Sequence, residues 1–380
     1  MIYLDNAATT RPKPREVVQA VVDAMQNFGN SGRGTHDEAL TAARMIYDTR
    51  NSIARLLGGT KGENVVFTAN STEALNVAIF GLLDAGSHII STDLEHNSVL
   101  RPLYRLEKAG AQLSFLPADK NGQINLQDLE KYLQTNTKAV VCTHASNVTG
   151  DVVDITAVGK FCRKHHLLFI LDASQTAGVF PINLQEQNID VVCFTGHKSL
   201  LGPQGTGGLC FREGLEIRPW KTGGTGVQSY LTEQPSQYPT RLEAGTLNGH
   251  GLAGLHAALK LRLATGLEAF RSNELALARR FYEGVRKLPG VKVYGNFAAI
   301  LRAPIVTLNI GNEDAAQIAD ELARRFDIAT RPGAHCAPRL HRALGTQQQG
   351  AVRFSWSWAN TATETDAAIE AIRILAEESK

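Results

Sequence analysis

The fold is decided by the stretch VVCFTGHK at residues 191–198, in which a short apolar run ends in a polar, glycine-containing turn. A second stretch of this kind, LLFILD at residues 167–172, ends in Asp172, and a glycine-rich segment follows Lys198. Short, continuously apolar runs are typical of strands covered on both faces of a parallel sheet. Ligands bind beyond the carboxyl ends of such strands, so Lys198 and Asp172 are predicted to share a site.

Apolar runs alternate with helical patterns throughout residues 65–212. The predicted strands are Val65–Thr68, His88–Thr92, Leu113–Pro117, Ala139–Thr143, Leu168–Asp172, Val191–Thr195 and Gly208–Arg212. Helices are predicted over Thr72–Leu83 and Ile155–His166, and Gly86 and Gly110 are predicted C-terminal caps. This alternation predicts a three-layer α/β/α architecture with a mostly parallel, seven-stranded sheet.

The pattern changes near residue 250, which is the predicted domain boundary. Residues 15–250 are assigned to a large domain, and residues 1–14 with 251–380 to a smaller α+β domain. The helices predicted after the boundary are Leu252–Leu263, Glu268–Arg286, Ala315–Phe326 and Thr365–Ser379. The strands predicted there are Val291–Tyr294, Ile305–Ile310 and Val352–Trp356.

Composition narrows the functional classes. The chain of 380 residues is 43% hydrophobic and 20% charged, which is typical of a globular protein with a full core. Its net charge of +2, without a block of basic residues, argues against binding of nucleic acid. No apolar run is long enough to span a membrane, and the first residues do not form a signal peptide. The predicted location is the cytoplasm.

The cysteines fit a reducing compartment better than a disulfide framework, because there are five of them and no CxxC spacing. Three lie inside apolar runs, where a cysteine usually behaves as a small buried hydrophobe: Cys142, Cys193 and Cys210. Cys162 lies in a predicted helix. Cys336 alone has basic neighbours on a predicted loop.

Lys198 and Asp172 together have the chemistry that pyridoxal 5′-phosphate requires. A lysine forms a Schiff base with this cofactor, and an aspartate keeps the ring nitrogen protonated, so that the ring acts as an electron sink. Ser71 and Thr72 open a predicted helix whose N-terminus can hold a phosphate, although such residues are also ordinary N-caps. His96 follows the predicted strand His88–Thr92, and at that strand end it could stack on the ring and carry protons.

Short motifs with these residues are spread almost from end to end of the chain. They are YLDNAATT (3–10), NSGRGTH (30–36), FTANSTEA (67–74), EHN (95–97), SNVTG (146–150), DASQ (172–175), GHK (196–198), EAGT (243–246), RPGAHCA (331–337) and VRFS (352–355). In this order they resemble the class-V aminotransferase-like group of fold-type I pyridoxal phosphate enzymes. Within that group the resemblance is to the cysteine desulfurases and selenocysteine lyases.

The resemblance implies a role for each matching residue near the cofactor ring. Lys198 would bind the cofactor covalently and later carry the α-proton. Asp172 would pair with the ring nitrogen, and His96 would stack on the ring. Asn147 and Gln175 follow predicted strands, and both would contact the ring hydroxyl.

The resemblance also implies which residues would bind the cofactor phosphate and the substrate. The cofactor phosphate would be held by Ser71, Thr72, Thr195 and His197 of one subunit. Members of the group are homodimers, so Thr246 would reach the phosphate in the partner subunit. Arg353, with Arg331 nearby, would bind the α-carboxylate of the substrate, which a planar guanidinium suits better than a lysine does.

Cys336 favours one reaction within this group. A desulfurase needs a thiolate that attacks the sulfur of L-cysteine, leaving a persulfide on the protein and L-alanine as the product. Cys336 lies between Gly333 and Pro338, and it is close in sequence to His335 and Arg331. The predicted activity is therefore a desulfurase reaction with the persulfide formed on Cys336, for transfer to a sulfur-acceptor protein.

Other reactions on the same scaffold remain open. The loop resembles the short Arg-x-Gly-x-His-Cys-Ala form of the SufS-like branch, but Pro338 follows Ala337 directly, where the common form has one more residue. The alternatives are a selenocysteine lyase and a class-V aminotransferase. A non-catalytic scaffold is the third hypothesis, and the presence of Lys198, Asp172, His96 and Arg353 argues against it.

Overall fold

The computed structural model describes residues 1–32 and 34–379 of the chain. Its strands are β1 (Ile2–Tyr3), β2 (Val65–Thr68), β3 (His88–Thr92), β4 (Gln112–Leu116), β5 (Thr137–Thr143), β6 (Leu168–Asp172), β7 (Val191–Thr195), β8 (Gly207–Phe211), β9 (Val291–Tyr294), β10 (Ile305–Ile310), β11 (Ile328–Ala329), β12 (Arg331–Gly333) and β13 (Ala351–Ser355). Its helices are α1 (Arg15–Asn27), α2 (Asp37–Leu57), α3 (Ser71–Leu82), α4 (Asn97–Lys108), α5 (Ile155–Lys164), α6 (Gly249–Thr265), α7 (Leu267–Val285), α8 (Ala315–Phe326), α9 (Pro338–Leu344) and α10 (Ala362–Glu378). Short 3-10 helices span Gly62–Asn64, Leu126–Tyr132 and Thr240–Leu242.

The central sheet has seven strands in the order β2-β8-β7-β6-β5-β3-β4. Its neighbouring strands are parallel except at β8, which runs antiparallel to both β2 and β7. Hydrophobic cores lie on both faces of the sheet, under the helices. The predicted three-layer α/β fold with a mostly parallel seven-stranded sheet is confirmed.

Adjacent residues of one strand belong to two different cores. On β6, Phe169 and Leu171 lie in one core, and Ile170 lies in the other. Val191 and Val192 on β7 divide in the same way. Because successive side chains of a strand point to opposite faces, and helices cover both faces, these strands are apolar at every position before the polar residue that ends each of them, Asp172 and Thr195.

A smaller α+β unit is built around the antiparallel sheet β12-β13-β10-β9. Strand β1 pairs with β11, and Leu4 lies in the core of this unit, so the first residues pack with the C-terminal part of the chain. Helix α6, by contrast, contributes Leu252, Leu255 and Leu259 to a core of the central sheet. The domain division at residue 250 stays a prediction. Helix α6 was assigned to the smaller domain, but it packs against the central sheet.

Three helices were not predicted from the sequence: α1, α2 and α4. Helix α1 exposes Val18, Val22 and Met25, so its apolar residues do not mark one buried face. Helix α4 contains Pro102, which usually argues against a helix interior. Among the described helices, none combines the length and the apolar character that crossing a membrane requires.

Helix ends follow local sequence in most places. Helix α10 begins with a capping box formed by Thr361 and Glu364, and Gly110, with φ of 112°, follows the end of α4 as predicted. Gly86 was wrongly predicted as a cap. Helix α3 ends earlier, where Leu83 leaves it in an extended conformation, and Gly86 lies in the turn beyond.

Candidate active site

A cavity of about 530 Å³ lies at the carboxyl edge of the central sheet and is closed by residues of the smaller unit. It brings together side chains that are far apart in the sequence. The predicted site residues that line it are Ser71, Thr72, His96, Asn147, Asp172, Gln175, Thr195, His197, Lys198, Arg331, Cys336 and Arg353. The polar segments after the parallel strands meet here because those strands end at the same edge.

Lys198 follows the end of β7, after a turn that only glycine allows. A Cβ atom on Gly196 would lie 2.1 Å from Thr206 Oγ1. Lys198 keeps some exposure to the cavity, but protein surrounds its amine. This burial, and next the charge of Arg353, lower its pKa from 10.5 to about 8, against the opposing effect of Asp172. A sizeable fraction of the amine is therefore uncharged near neutral pH, in the form that attacks an aldehyde.

Asp172 ends β6, the strand beside β7, and pairs in register with Cys193. Its carboxylate accepts hydrogen bonds from the backbone N–H of Ser174, at 2.9 Å, and from the hydroxyl of the same residue. The Ser174 hydroxyl also lies 2.8 Å from Ser71 Oγ. These contacts fix the orientation of a negative charge at the cavity wall, as a protonated ring nitrogen requires.

The N-terminus of α3 forms part of the cavity wall next to Ser174. Asn70 caps this helix by accepting a backbone N–H of its first turn through its side chain. Ser71 and Thr72 therefore lie in the first turn, where unpaired backbone N–H groups attract anions. Thr72 Oγ1 is 2.7 Å from Ser98 Oγ, so the two hydroxyls share one hydrogen bond.

Two buried polar atoms from the β7 turn have no partner among the described residues. They are Thr195 Oγ1 and His197 Nδ1. Burial, and next the charge of Lys198, lower the pKa of His197 to about 4, so its ring is neutral at pH 7. A buried polar atom without a partner costs about 1–3 kcal/mol. Atoms of this kind beside a helix N-terminus indicate a polar ligand.

His96 caps helix α4 at the cavity. Its Nδ1 accepts the backbone N–H of Ser98 at 3.0 Å. Burial, followed by the charge of Lys198, lowers the pKa of His96 to about 4. The ring is therefore neutral at pH 7 and carries its proton on Nε2, which suits a ring that stacks on an aromatic ligand and donates one hydrogen bond.

The two predicted amides are already engaged in structural hydrogen bonds. Gln175 Nε2 donates to the carbonyl of Ala7 at 3.1 Å. Asn147 Nδ2 donates to the carbonyl of His335 at 2.8 Å, while its Oδ1 is buried without a partner in the described chain. Their contact with a ring hydroxyl stays a prediction, and the structure adds that Asn147 anchors the loop of the candidate nucleophile.

Arg353 and Arg331 lie opposite each other on β13 and β12. Asp5 lies between the two guanidinium groups, at 2.7 Å from Arg331 Nη2 and 3.2 Å from Arg353 Nη2. Burial lowers the pKa of Arg353, which Asp5 opposes. Arg353 Nη1 donates to the carbonyl of Asn147, but its buried Nε has no partner among the described residues. Arg353 thus keeps a donor for a carboxylate of the substrate.

Cys336 is exposed and lies on a short loop, residues 334–337, between β12 and α9. Pro338 is the first residue of α9, where its fixed φ suits a helix start. His335 and Cys336 both have left-handed φ, 50° and 56°, at about 1–2 kcal/mol each for residues with a Cβ. The backbone N–H of Asn97 donates to the Cys336 carbonyl at 2.7 Å.

The other cysteines are buried in or beside the central sheet: Cys142, Cys162, Cys193 and Cys210. Burial raises the pKa of each of these four thiols. A thiol is nucleophilic as its thiolate, so these side chains are unreactive. Cys336 is the one exposed cysteine among the described residues, and it is the one that lines the cavity.

Thr246 does not reach this cavity in its own chain. It lines a separate cavity of about 640 Å³ together with Tyr47, Arg50 and Gly226. Its contact with the cofactor of a partner subunit stays a prediction. Arg33, from the matching motif at 30–36, lies outside the described residues.

Several residues that the structure places at the site had no predicted role. Asp5 links the two arginines, and Ser98 and Ser174 hold Thr72 and Asp172 as described above. Glu95 is buried beneath the cavity, where it accepts hydrogen bonds from the Thr92 hydroxyl and the Thr143 N–H, at 2.6 and 3.1 Å. Burial raises its pKa to about 8. Asp5, Glu95 and Ser174 lie in quoted motifs and Ser98 directly follows one, but only tertiary contacts reveal what these residues touch.

The residues of the cavity fit pyridoxal 5′-phosphate in their chemistry. There is a lysine amine of low pKa, a carboxylate on the neighbouring strand and a neutral imidazole at the helix cap. Buried hydroxyl and imidazole atoms without partners lie near a helix N-terminus, where a phosphate would supply acceptors. The chemistry of this donor set therefore agrees with the cofactor predicted from Lys198 and Asp172.

The fold and the residues of this site define a class of enzyme, and comparison of the chain with known protein families identifies that class. The profile of the aminotransferase class-V family matches residues 2–368. The chain therefore belongs to the class-V aminotransferase family, whose enzymes depend on pyridoxal phosphate. The predicted family resemblance is confirmed.

Within this family the chain is similar to cysteine desulfurases. It is 31% identical to a probable cysteine desulfurase of Methanothermobacter thermautotrophicus, over 96% of this chain and 92% of the relative. It is also 31% identical to the cysteine desulfurase IscS of Vibrio campbellii, over 98% and 92%. The apo structure of the cysteine desulfurase from Thermococcus onnurineus superimposes with a TM-score of 0.91 at 30% identity, covering 99% of this chain and 95% of that one.

Proposed function

We propose that this protein is a pyridoxal phosphate-dependent cysteine desulfurase that converts L-cysteine to L-alanine and receives the sulfur on Cys336. The observation that carries the proposal is the exposed Cys336 thiol in the wall of the cavity that also contains Lys198 and Arg353. An aminotransferase needs the lysine and the arginine but has no use for a thiol at this position.

The cofactor would be held by residues from three sides of the cavity. Lys198 would hold the aldehyde carbon covalently, Asp172 the protonated ring nitrogen and His96 one face of the ring. The phosphate would be held by Ser71, Thr72, Thr195 and His197. When bound, the cofactor supplies an electron-withdrawing ring that stabilises the carbanion formed by loss of an α-proton.

The side chains of the cavity divide the reaction among them. Arg353 binds the α-carboxylate of L-cysteine through the donor that it keeps free, which orients the substrate. Lys198 Nζ takes the α-proton and returns a proton to the carbon skeleton. The Cys336 thiolate forms an S–S bond with the substrate sulfur as the Cβ–S bond of the substrate breaks. The electron pair of that Cβ–S bond stays on the carbon skeleton. Protonation of that skeleton gives L-alanine.

We also propose a homodimer, a sulfur-acceptor protein and a cytoplasmic location. The cavity around Thr246 and the exposed apolar side chains of Tyr230 and Leu231 support a contact with a second subunit. The exposure of Cys336 would give an acceptor access to the persulfide. The five cysteines are all free thiols, which agrees with a reducing compartment.

The proposal is tested by supplying the cofactor-loaded protein with L-cysteine and measuring alanine and protein-bound persulfide together. Equal amounts of both in the first turnover support it. Pyruvate as the product, or exchange of the amino group with a keto acid, would instead establish an elimination or a transamination. Parallel assays with selenocysteine decide whether a selenocysteine lyase describes the protein better.

Arg353→Lys is expected to raise the KM for L-cysteine by about tenfold to a hundredfold, with a smaller change in kcat, because the compact ammonium of lysine lacks the directed N–H donors of a planar guanidinium. Steady-state alanine formation measures this. Arg325→Lys is the matched control, because Arg325 forms an ion pair with Glu378 on the surface of the smaller unit. An unchanged KM in Arg353→Lys would place the substrate carboxylate elsewhere.

Uptake of pyridoxal phosphate by the cofactor-free protein is expected to accelerate with pH and to level off above about pH 8. Only the uncharged amine attacks the aldehyde, and the pKa of Lys198 is lowered to about 8. The uncharged fraction rises about tenfold per pH unit below the pKa and then saturates. Stopped-flow absorbance measures the rate. A rate that still rises tenfold between pH 9 and pH 10 would show that the lysine has its ordinary pKa.

A further inference from the structure

The loop that carries Cys336 is held in a backbone conformation that it would not adopt by itself. His335 and Cys336 are consecutive residues with left-handed φ, and both have side chains that disfavour that region. Such strain persists only where the surroundings determine the conformation. The side-chain amide of Asn147 donates to the His335 carbonyl, and the backbone N–H of Asn97 donates to the Cys336 carbonyl. Neither contact holds the His335 side chain.

A chain of buried side chains holds the His335 ring instead. His335 Nε2 is 2.9 Å from the carbonyl oxygen of Arg331. His335 Nδ1 is 3.2 Å from His341 Nε2, and His341 Nδ1 is 2.8 Å from Thr346 Oγ1. His335, His341 and Thr346 are 8%, 1% and 3% exposed. The chain therefore links the Cys336 loop to helix α9 and to the turn that follows it.

The donors and acceptors of this hydrogen-bonded chain are all oriented in the same direction. A backbone carbonyl only accepts, so His335 Nε2 carries the proton and its Nδ1 accepts. His341 Nε2 must then donate, which leaves His341 Nδ1 to accept from the Thr346 hydroxyl. Both rings are neutral in this arrangement. Burial, and next the charge of Arg353, lower the pKa of His335 to about 3, which agrees with a neutral ring.

This arrangement leaves neither ring free for proton transfer. Both nitrogens of His335 are engaged, and the chain ends at a backbone carbonyl rather than in the cavity. His341 and Thr346 do not line the cavity at all. Their effect on the reaction must therefore pass through the position of the loop.

We propose that His341 and Thr346 are positioning residues that hold His335, and through it the left-handed backbone at Cys336, so that the thiol meets the substrate sulfur. The proposal rests on the desulfurase function proposed above. His341 donates to His335, and Thr346 fixes the tautomer of His341 that can donate. A loop released from this chain would leave the left-handed region and carry the thiol away from the substrate.

The test compares His341→Leu with His341→Gln in the cofactor-loaded protein. Glutamine keeps a side-chain N–H that can reach His335 Nδ1, whereas leucine removes it at similar volume. In His341→Leu, kcat for alanine formation is expected to fall about tenfold to a hundredfold, with KM for L-cysteine within about twofold of wild type. His341→Gln is expected to recover most of kcat. Both should keep the visible absorbance of the bound cofactor.

A second measurement does not depend on turnover. Without substrate, alkylation of Cys336 by iodoacetamide, followed by mass spectrometry, is expected to be at least threefold faster in His341→Leu, because the freed loop exposes the thiol more. The glutamine variant should match wild type. If wild type makes no alanine, the desulfurase function fails, while the alkylation rates still report on positioning.

Equal kcat and equal alkylation rates in the leucine and glutamine variants would overturn the proposal. So would a loss of kcat that only parallels loss of cofactor absorbance and of folded protein, since that would be general destabilisation. If His341→Leu does not fold, Thr346→Val and Thr346→Ser replace the pair. Valine removes the hydroxyl that fixes the His341 tautomer, and serine keeps it. A kcat that is lower in Thr346→Val but not in Thr346→Ser supports the positioning role, and equal kcat values in the two variants refute it.

Discussion

Lys198→Ala is expected to abolish the visible absorbance of the bound cofactor and to reduce turnover of L-cysteine by more than about a thousandfold. The variant loses both the covalent attachment of the cofactor and the base that moves the α-proton, and proton transfer alone contributes about 10²–10⁴ in rate. Absorbance after incubation with pyridoxal phosphate measures the first effect, and alanine formation measures the second.

The matched control is Lys164→Ala, because Lys164 is an exposed lysine at the end of α5 that forms an ion pair with Glu130. That variant should keep the absorbance and the rate of wild type. Noncovalent binding of the cofactor to Lys198→Ala is compatible with the assignment, since the phosphate and ring contacts remain. Retention of the lysine-bound absorbance together with turnover would show that another amine holds the cofactor.

Cys336→Ser is expected to keep cofactor binding and substrate binding but to form no protein persulfide. Alanine formation should fall more than about a thousandfold, because a hydroxyl is barely ionised near neutral pH and is a far weaker nucleophile than a thiolate. Persulfide is measured by labelling and mass spectrometry, and alanine is measured in the same sample. Substrate binding is followed by the change in cofactor absorbance on addition of L-cysteine.

The matched control is Cys162→Ala, which removes a buried thiol of α5 that does not line the cavity. Its stability is expected to fall slightly and its rate per folded protein to stay that of wild type. Sulfide release at the wild-type rate by Cys336→Ser would favour direct elimination from the substrate. Persulfide found on a different cysteine would remove Cys336 from the mechanism.

The central sheet could be predicted from the sequence because its strands are covered on both faces. Short apolar runs such as those in β6 and β7 are typical of such strands, and the observed bounds of both strands match the predicted ones. Helix α4 could not be predicted in the same way. Pro102 interrupts its pattern, and the helix is stabilised by packing that brings Val99, Leu103 and Leu106 into the core.

The site could be predicted in part, since the strand ends that carry Lys198 and Asp172 follow from the pattern of a parallel sheet. The part played by Asp5 could not. It lies at the start of the chain, and its partners Arg331 and Arg353 come near the end. No local pattern marks a carboxylate as the common partner of two distant guanidinium groups.

Local sequence was enough to predict the alternation of strands and helices, the polar residues at the strand ends and the single cysteine with basic neighbours. These follow from short-range periodicity and residue chemistry. The folded arrangement was needed to see which charges neutralise each other, which rings are neutral and which side chains hold the Cys336 loop. Hydrogen bonds and pKa values depend on burial and on neighbours that the fold brings together, and the chain of His335, His341 and Thr346 exists only where α9 packs beneath the cavity.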